Sequence, residues 1–432
     1  MQKIIEKILK ILAKAIIKKY HPFIIGITGS VGKTSAKEAV TLILKKKFFV
    51  RASPKNYNNE IGLPLTIIND KTQGKNIFGW LKVFCKGIFE IILPLNFPKV
   101  LILEMAADKP GDIKYLTEIA PCQIGIITAI GPVHLEKFKT IENILKEKQI
   151  IATHLPSHGL AILNADDKKL AEIKNKIKAK TITFGFSEIA DVKAIEAKLN
   201  QEITEKGELK INGLIFKVSY QGNIVPISLP KILAKHQIYS VLVGISVGLS
   251  HGLNLLEISE ILKDFETLPG RMKLIQGIKE SVIIDDTYNS SPDAVNAALE
   301  TLDEILTLPG RRKIVVLGDM LELGEISEKA HFEIGKKIGK FNFNLLVTVG
   351  EKAKKIAEGA RKNGFPEEFI FEFKNSLEAA GFLKEKIIYG DIILVKGSQG
   401  MRMEKIVKEI MVEPEKAKKL LVRQDKKWEI KP

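Results

Sequence analysis

Residues 28 to 34 read T-G-S-V-G-K-T, directly after the apolar run "FIIGI" and before a helical pattern. Gly29 and Gly32 let backbone N–H groups turn toward an anion, Lys33 neutralises phosphate charge, and Thr34 offers a hydroxyl to magnesium. A strand before and a helix after are the context such a loop needs. Thr28, Gly29, Ser30, Val31, Gly32, Lys33, Thr34 and Ser35 are therefore expected to bind the phosphates of a nucleotide. The strict pattern G-x-x-x-x-G-K-[ST] fails at its first glycine, where Ile27 stands. GTPase, kinase and ligase all remain compatible with this loop taken alone.

Further candidates sit where other apolar runs end. Glu104 closes "VLILE", and a carboxylate at the carboxyl end of a parallel strand lies where open α/β sheets place their ligands, suited to magnesium. His134 follows a Gly-Pro turn in "ITAIGPVHLEKF", past another strand end, which makes it a candidate to join Glu104 at a metal. The helical stretch "TIENILKEKQII" offers Lys146 and Lys148, and its pattern favours neither. In the last third, "PGRMKLIQG", "IIDDTYNSSPDAVNAAL", "VLGDMLELGEISEKAH" and "LVKGSQGMRME" bring Asp, Asn and Arg to strand ends, where they could clamp a base, ribose or phosphate.

The elements that must position these residues alternate along the chain. Short apolar strands ("FIIGIT", "VLILEM", "QIGIITAI", "GLAILN") are each followed by a helical pattern, including helices at 33–46 and 140–154, which predicts a largely parallel sheet covered by helices. Between about 181 and 228, "KGE", "NG" and "QGN" turns separate short alternating runs and predict a small antiparallel β insertion. A helical segment over 235–265 follows, and a second alternation of about 160 residues begins near "ETLPGR". The domains are expected at 22–268 and 269–413, preceded by a basic amphipathic helix over 1–21 and followed by a charged tail over 414–432. In the first helix Lys3, Lys7, Lys10, Lys14 and Lys18 form one stripe, with Ile4, Ile5, Ile8, Ile11, Leu12, Ala15 and Ile16 opposite. A second apolar segment, 77–98, carries Lys82, Lys86 and Glu90 along one face. Both helices either pack on the body of the protein or meet a membrane surface.

Composition bounds the function. The chain has 432 residues, a net charge of +16 and 27% charged residues, with lysines spread over solvated faces and no aromatic-basic alternation of the kind that binds nucleic acid. Its two cysteines, Cys85 and Cys122, lie in apolar runs without metal or disulfide spacing, which predicts a reducing, cytoplasmic setting. Lys82, Lys86 and Glu90 interrupt the most apolar region, so no membrane span is expected.

Taken in order, T-G-S-V-G-K-T, "NYNNEIGLPLTI" (56–67), "EMAADKPGDI", "IGPVHLEKF", "DDTYNSSPDAV", "LGDMLELGE" and "KGSQGMRME" resemble the Mur ligase family over about residues 23 to 412, and within it the branch that adds D-alanyl-D-alanine. The resemblance implies an α/β fold, with a P-loop-like central domain and a Rossmann-like C-terminal domain. It implies an ATP- and magnesium-dependent amide ligase of peptidoglycan precursor synthesis, in which a muropeptide carboxylate is phosphorylated and an amine then displaces phosphate. Residue by residue, Lys33, His134 and Lys148 are the implied catalytic set, and Thr34, Glu104, His134 and Lys148 would hold two magnesium ions. Lys148 aligns with a lysine that the family carbamylates. Arg271 and Asn289 are implied at the nucleotide, and Asn59, Asp319 and Lys396 at substrate.

The chain departs from the family in "AKHQIYS", where Gln237 and Ser240 replace asparagines, and in Ser291 and "EMAAD". Only about 22 residues precede the first strand, too few for the family's N-terminal UDP-binding domain, which is expected to be lacking. The expected partners are a cell-wall precursor peptide and an amine, with peripheral membrane contact through 1–20 and 77–98 as the alternative to packing; nucleic acid is not expected, and a monomer is. Competing readings are a lipid-linked or other non-UDP acceptor, an amidating subunit, and a non-catalytic nucleotide-binding protein.

Overall fold

The computed structural model describes residues 2–54, 57–132, 135–205, 209–425 and 428. The chain divides into two compact units, Met1–Ala197 with Phe216–Ser228 and His236–Phe265, and Lys198–Ile215 with Leu229–Lys235 and Glu266–Pro432.

Among the described residues of the first sheet, the strands are β1 (Phe23–Thr28), β2 (Val50–Ala52), β3 (Val100–Glu104), β4 (Ile124–Ile127), β5 (Leu160–Asn164), β6 (Lys180–Gly185), β7 (Val192–Ile203), β8 (Leu209–Tyr220) and β9 (Asn223–Leu229). They lie in the order β2-β3-β1-β4-β5-β6-β7-β8-β9, and the pairings from β2 through β7 are parallel. The centre strands read as continuous apolar runs because both faces are covered: Ile24, Ile25 and Ile27 of β1 are all buried. Each such side chain contributes about 1.5–3 kcal/mol by leaving water. The expected β insertion takes the form of strands added to this sheet. β6 and β7 pair in parallel, and β8 and β9 are joined by Gln221-Gly222, both at positive φ, as a two-residue hairpin turn requires.

The helices as far as β5 are α1 (Gln2–Tyr20), α2 (Lys33–Leu44), α3 (Gly62–Ile68), α4 (Ile77–Ile92), α5 (Asp112–Ile119), α6 (Leu135–Phe138), α7 (Ile141–Lys148) and α8 (Ile150–Thr153). The helix expected over 140–154 is thus two helices meeting at Gln149. α1 beds against α3, α4 and α5. Its buried seam is Leu9, Leu12, Ala13 and Ile16, whereas Ile4 and Ile11, expected on the packed side, face solvent. The difference arises because α1 is clasped along one narrow line: a Cβ on Gly87 of α4 would stand 3.0 Å from Leu12 Cδ1. Lys82, Lys86 and Glu90 do not share one environment either. A four-residue step turns about 40° past a full helical turn, so the row winds from exposed Lys82 to buried Glu90. Burial pushes the Glu90 carboxyl up, against the opposing pull of Arg51 and Lys86.

The second sheet holds β10 (Lys273–Gln276), β11 (Val282–Asp286), β12 (Lys313–Gly318), β13 (Leu345–Val349), β14 (Ile370–Phe373) and β15 (Ile392–Lys396), ordered β10-β11-β15-β12-β13-β14. β10 is antiparallel to β11, and the other pairings are parallel. Helices Pro292–Glu304, Ser327–Ile338, Lys354–Arg361, Ser376–Lys386 and Glu404–Ile410 cover its faces. The segment from 414, expected as a separate charged tail, packs on this unit as far as 425. Ala417 and Leu421 enter its core, and Arg423 donates to the Thr287 carbonyl and the Glu404 carboxylate, each at 2.9 Å.

Candidate functional site

β1 delivers its last residue, Thr28, into a loop that turns on Gly29 (φ 149) and Gly32 (φ 82) before α2 begins at Lys33. The glycines are needed for space as well as for φ, since a Cβ on Gly29 would lie 2.0 Å from Thr128 Oγ1. The Thr128 hydroxyl holds the loop from the neighbouring strand end by donating to the carbonyls of Thr28 and Val31. Ser30 Oγ donates to the Gly131 carbonyl at 3.0 Å and accepts from Gly131 N–H at 2.9 Å. The 128–131 segment is itself fixed by Asn164, which donates to Thr128 O at 3.0 Å, and by Asp167, which accepts from Ile130 N–H at 2.6 Å. Lys33 Nζ donates to Gly29 O at 2.7 Å, so the ammonium rides over the loop it belongs to. The result is an anion cradle: unsatisfied N–H groups of the first turn of α2, the positive end of that helix and one cation.

Glu104 ends β3, in parallel register with Ile27 of β1. Its carboxylate is buried. Oε1 accepts from Asn58 Nδ2 at 3.0 Å, and Oε2 has no partner among the described residues. A buried carboxylate oxygen without a partner costs desolvation that a hard cation would repay. Thr34 stands in the first turn of α2, half-buried. These residues fit a magnesium ion, and no group of three His, Cys, Asp or Glu suited to a metal occurs among the described residues. His134 lies outside the described residues.

α7 separates the two lysines that the sequence leaves equivalent. Lys146 is exposed, while Lys148 is 2% exposed. The neighbouring Glu147 fastens the helix by accepting from Gly111 N–H at 2.8 Å and Ile113 N–H at 2.7 Å, at the start of α5. Burial pulls the Lys148 ammonium down from the ordinary value of 10.5 to about 7, and the charge of Lys33 adds to the effect against Glu147 and Asp108. Burial thus shifts Lys148 toward its neutral amine form.

Asn59 is engaged locally: its Oδ1 accepts from Gly62 N–H at 2.9 Å and caps the entry to α3. Its neighbour Asn58 is the one that reaches Glu104, and the motif "NYNNEIG" carries no signal that separates the two. Asn164, Asp167, Thr128 and Glu147 were likewise not legible, because each acts through a backbone far away in sequence. Ser240, one of the departures from the family pattern, lies with its Oγ 3.9 Å from where a Cβ of Gly32 would be.

The remaining candidates belong to the second unit. Arg271 stacks over the Tyr288 ring, 4.3 Å from guanidinium carbon to centroid. Asn289 is exposed, and its carbonyl accepts from Lys396 Nζ at 2.9 Å. Lys396 is 2% exposed and paired with Asp286 at 2.6 Å. Asp319 accepts from Ala353 N–H at 2.7 Å, and burial raises its carboxyl above the usual range. Beneath the same loop Asp285 is fully buried and accepts from Thr287 Oγ1 at 2.6 Å and Gly270 N–H at 3.0 Å; burial pushes its carboxyl up to about 6.

The model of the Mur ligase middle domain matches residues 27–78 and 93–248, and that of the Mur ligase glutamate ligase (C-terminal) domain matches 270–399. The stretch 79–92, most of α4, is left out of the match. A UDP-N-acetylmuramoyl-tripeptide–D-alanyl-D-alanine ligase of Bacillus subtilis is 30% identical over 403 residues, 93% of this chain and 79% of the relative. The crystal structure of MurF ligase from Thermotoga maritima in complex with ADP superposes with a TM-score of 0.73 at 26% identity, over 95% of this chain and 84% of that one. Folylpolyglutamate synthase of Mycobacterium tuberculosis shares the fold, with a TM-score of 0.62 at 15% identity over 93% and 95% of the two chains.

Proposed function

The chain belongs to the Mur ligase family of ATP-dependent peptide ligases, and from that premise we propose that it joins D-alanyl-D-alanine, or a similar amine, to the carboxylate of a muropeptide precursor. The observation that carries this reading is Lys148, a buried lysine whose ammonium form is disfavoured by desolvation and by the charge of the phosphate loop's Lys33. A phosphate loop alone fits many chemistries. A second lysine whose ammonium form is disfavoured fits one in which the amine is converted to a carbamate anion, since only the neutral form adds carbon dioxide.

In the proposed reaction the acceptor carboxylate oxygen attacks the γ-phosphorus of ATP, the bond to the β-phosphate oxygen breaks, and ADP leaves. The incoming amine then attacks the acyl carbon, the tetrahedral intermediate expels phosphate, and the amine's surplus proton passes to solvent or to the departing phosphate. The first step brings an anion toward a polyanion, so neutralisation of the phosphoryl oxygens is the main demand. Lys33 and the free N–H groups at the start of α2 answer it from the chain. Thr34 and Glu104 would hold magnesium at ATP, His134, Glu104 and a carbamylated Lys148 a second ion, and the two ions would supply further neutralising charge. Arg271 and Asn289 are proposed to contact the nucleotide, and Asn59, Asp319 and Lys396 to shape substrate binding, with Lys396 and Asp319 acting through the loops they brace.

The proposal places a monomer in the cytoplasm. A second reading, the same chemistry on a lipid-linked acceptor, is favoured by the apolar outer face of α4. Phosphate release measured with ATP, D-alanyl-D-alanine and UDP-linked or lipid-linked muropeptides tests both. Release that requires acceptor and amine together supports the ligase, the acceptor used separates the two readings, and ATP hydrolysis indifferent to both substrates overturns them.

A further inference from the structure

α4 is apolar on the wrong side. Its inner face, Gly79, Trp80, Val83, Gly87 and Glu90, is buried against the body of the protein. Its outer face carries Ile77, Phe78, Leu81, Ile88, Phe89 and Ile92, all exposed, with Phe78 at 79% and Ile92 at 68%. Leu93 and Leu95 continue this surface, and Phe78, Leu81, Cys85, Phe89 and Leu95 line one shallow hollow on it. Soluble proteins do not maintain so continuous an apolar stripe without a partner for it. Leu81, Ile88, Phe89 and Ile92 of the stripe fall in the stretch 79–92 that the family's middle-domain model does not match.

We propose that this face docks on an anionic phospholipid surface, independently of the reaction the chain catalyses. Charge selects this occupant over a protein. Residues 70–99 contain Lys71, Lys75, Lys82, Lys86 and Lys99 against two acids, the buried Glu90 and Asp70, which pairs with Lys86 at 3.6 Å. The adjoining α1 turns Lys3, Ile4, Lys7, Ile11, Lys14 and Lys18 to solvent, a stripe of cations and isoleucines without an acid. A basic rim around an apolar helix face is the pattern of helices that lie in the headgroup layer. A second copy of this chain would set these lysines against their own images. Crossing is excluded by geometry: α4 has 16 residues, about 24 Å, against about 30 Å of hydrocarbon, and no helix among the described residues is long and apolar enough to span. The helix therefore lies in the plane of the surface, with the aromatic and aliphatic side chains inserted and the lysines at the phosphates.

The test is co-sedimentation of the full chain with vesicles of phosphatidylcholine mixed with phosphatidylglycerol, and of phosphatidylcholine alone, with the oligomeric state measured in parallel without lipid. The expected result is binding to the anionic vesicles that weakens with salt. Phe78→Ser with Phe89→Ser should lower it at least about tenfold, since each removes an inserted ring. Replacing Lys3, Lys7, Lys14 and Lys18 by Gln should lower it by about tenfold on anionic vesicles only. Both sets are exposed, so the thermal unfolding midpoint should stay at the wild-type value. Absence of binding by the folded wild-type chain, or binding indifferent to both sets, overturns the proposal. So does a dimer that the two serine substitutions split while no lipid is bound, which would give the face to a second copy.

Discussion

Two lysines, equally buried, have opposite surroundings. Lys396, at the end of β15, meets Asp286 at 2.6 Å and the Asn289 carbonyl at 2.9 Å, so its charge is matched where it lies. Lys148, at the end of α7, makes no hydrogen bond or ion pair among the described residues; the charges of Lys33, Glu147 and Asp108 act on it, and desolvation outweighs them. A third buried lysine, Lys37, follows the first pattern, donating to Ser53 O at 2.6 Å and pairing with Glu38 at 3.2 Å. Paired burial makes a lysine a structural brace, whereas unpaired burial makes it a base or nucleophile. The contrast turns sequence-equivalent residues into different chemical species.

The largest effect expected from breaking this contrast is on turnover. Lys148→Ala should abolish ligation, a loss of about a thousandfold or more in kcat, with partial return when formate or another small carboxylate is added. Full activity in the variant would remove Lys148 from the mechanism. Lys33→Ala should similarly lose ATP turnover, and unchanged turnover would refute the phosphate-loop role.

The stability consequence runs the other way. Lys396→Met leaves Asp286 without its cation and should cost about 3 kcal/mol, read from urea unfolding at neutral pH. Lys148→Met replaces an amine already shifted toward its neutral form by an apolar chain of similar length and should cost less than about 1.5 kcal/mol. Equal costs would mean that the two sites do not differ as described.

A smaller effect sharpens the second unit's side of the comparison. The Asp285 carboxyl is raised from 3.8 to about 6, so the folded state holds its proton more tightly than the unfolded chain. Its contribution to stability is present below pH 3.8 and is lost as pH rises through about 6. Urea titrations across that window should show stability falling by about 3 kcal/mol from this group, with the dependence flattened in Asp285→Asn. An unchanged slope in the variant would assign it elsewhere.

The alternation of strands and helices, the phosphate loop and the position of Glu104 were legible in the sequence because they depend on local periodicity and on residues close together in the chain. Lys148 was named by family resemblance alone. Its selection over Lys146 depends on which way α7 is rolled, and Glu147 sets that roll through Gly111 and Ile113, more than thirty residues away. Asn58 and Asn59 were inseparable for the same reason. The first helix shows how patterning misleads at a crowded seam: the seven apolar positions expected to pack omitted Leu9 and Ala13, and packing against α4 selected a line through these two while leaving Ile4 and Ile11 outside. The segment after 414 reads as a charged, partly helical or frayed tail, and its composition gives no sign that Arg423 and Leu421 tie it to the core.

The most direct test of the account is carbon-13 NMR of the protein equilibrated with labelled bicarbonate near pH 8. The account predicts one slowly exchanging carbamate resonance that vanishes in Lys148→Met and persists in Lys396→Met. No carbamate signal, or one that survives the loss of Lys148, would contradict it.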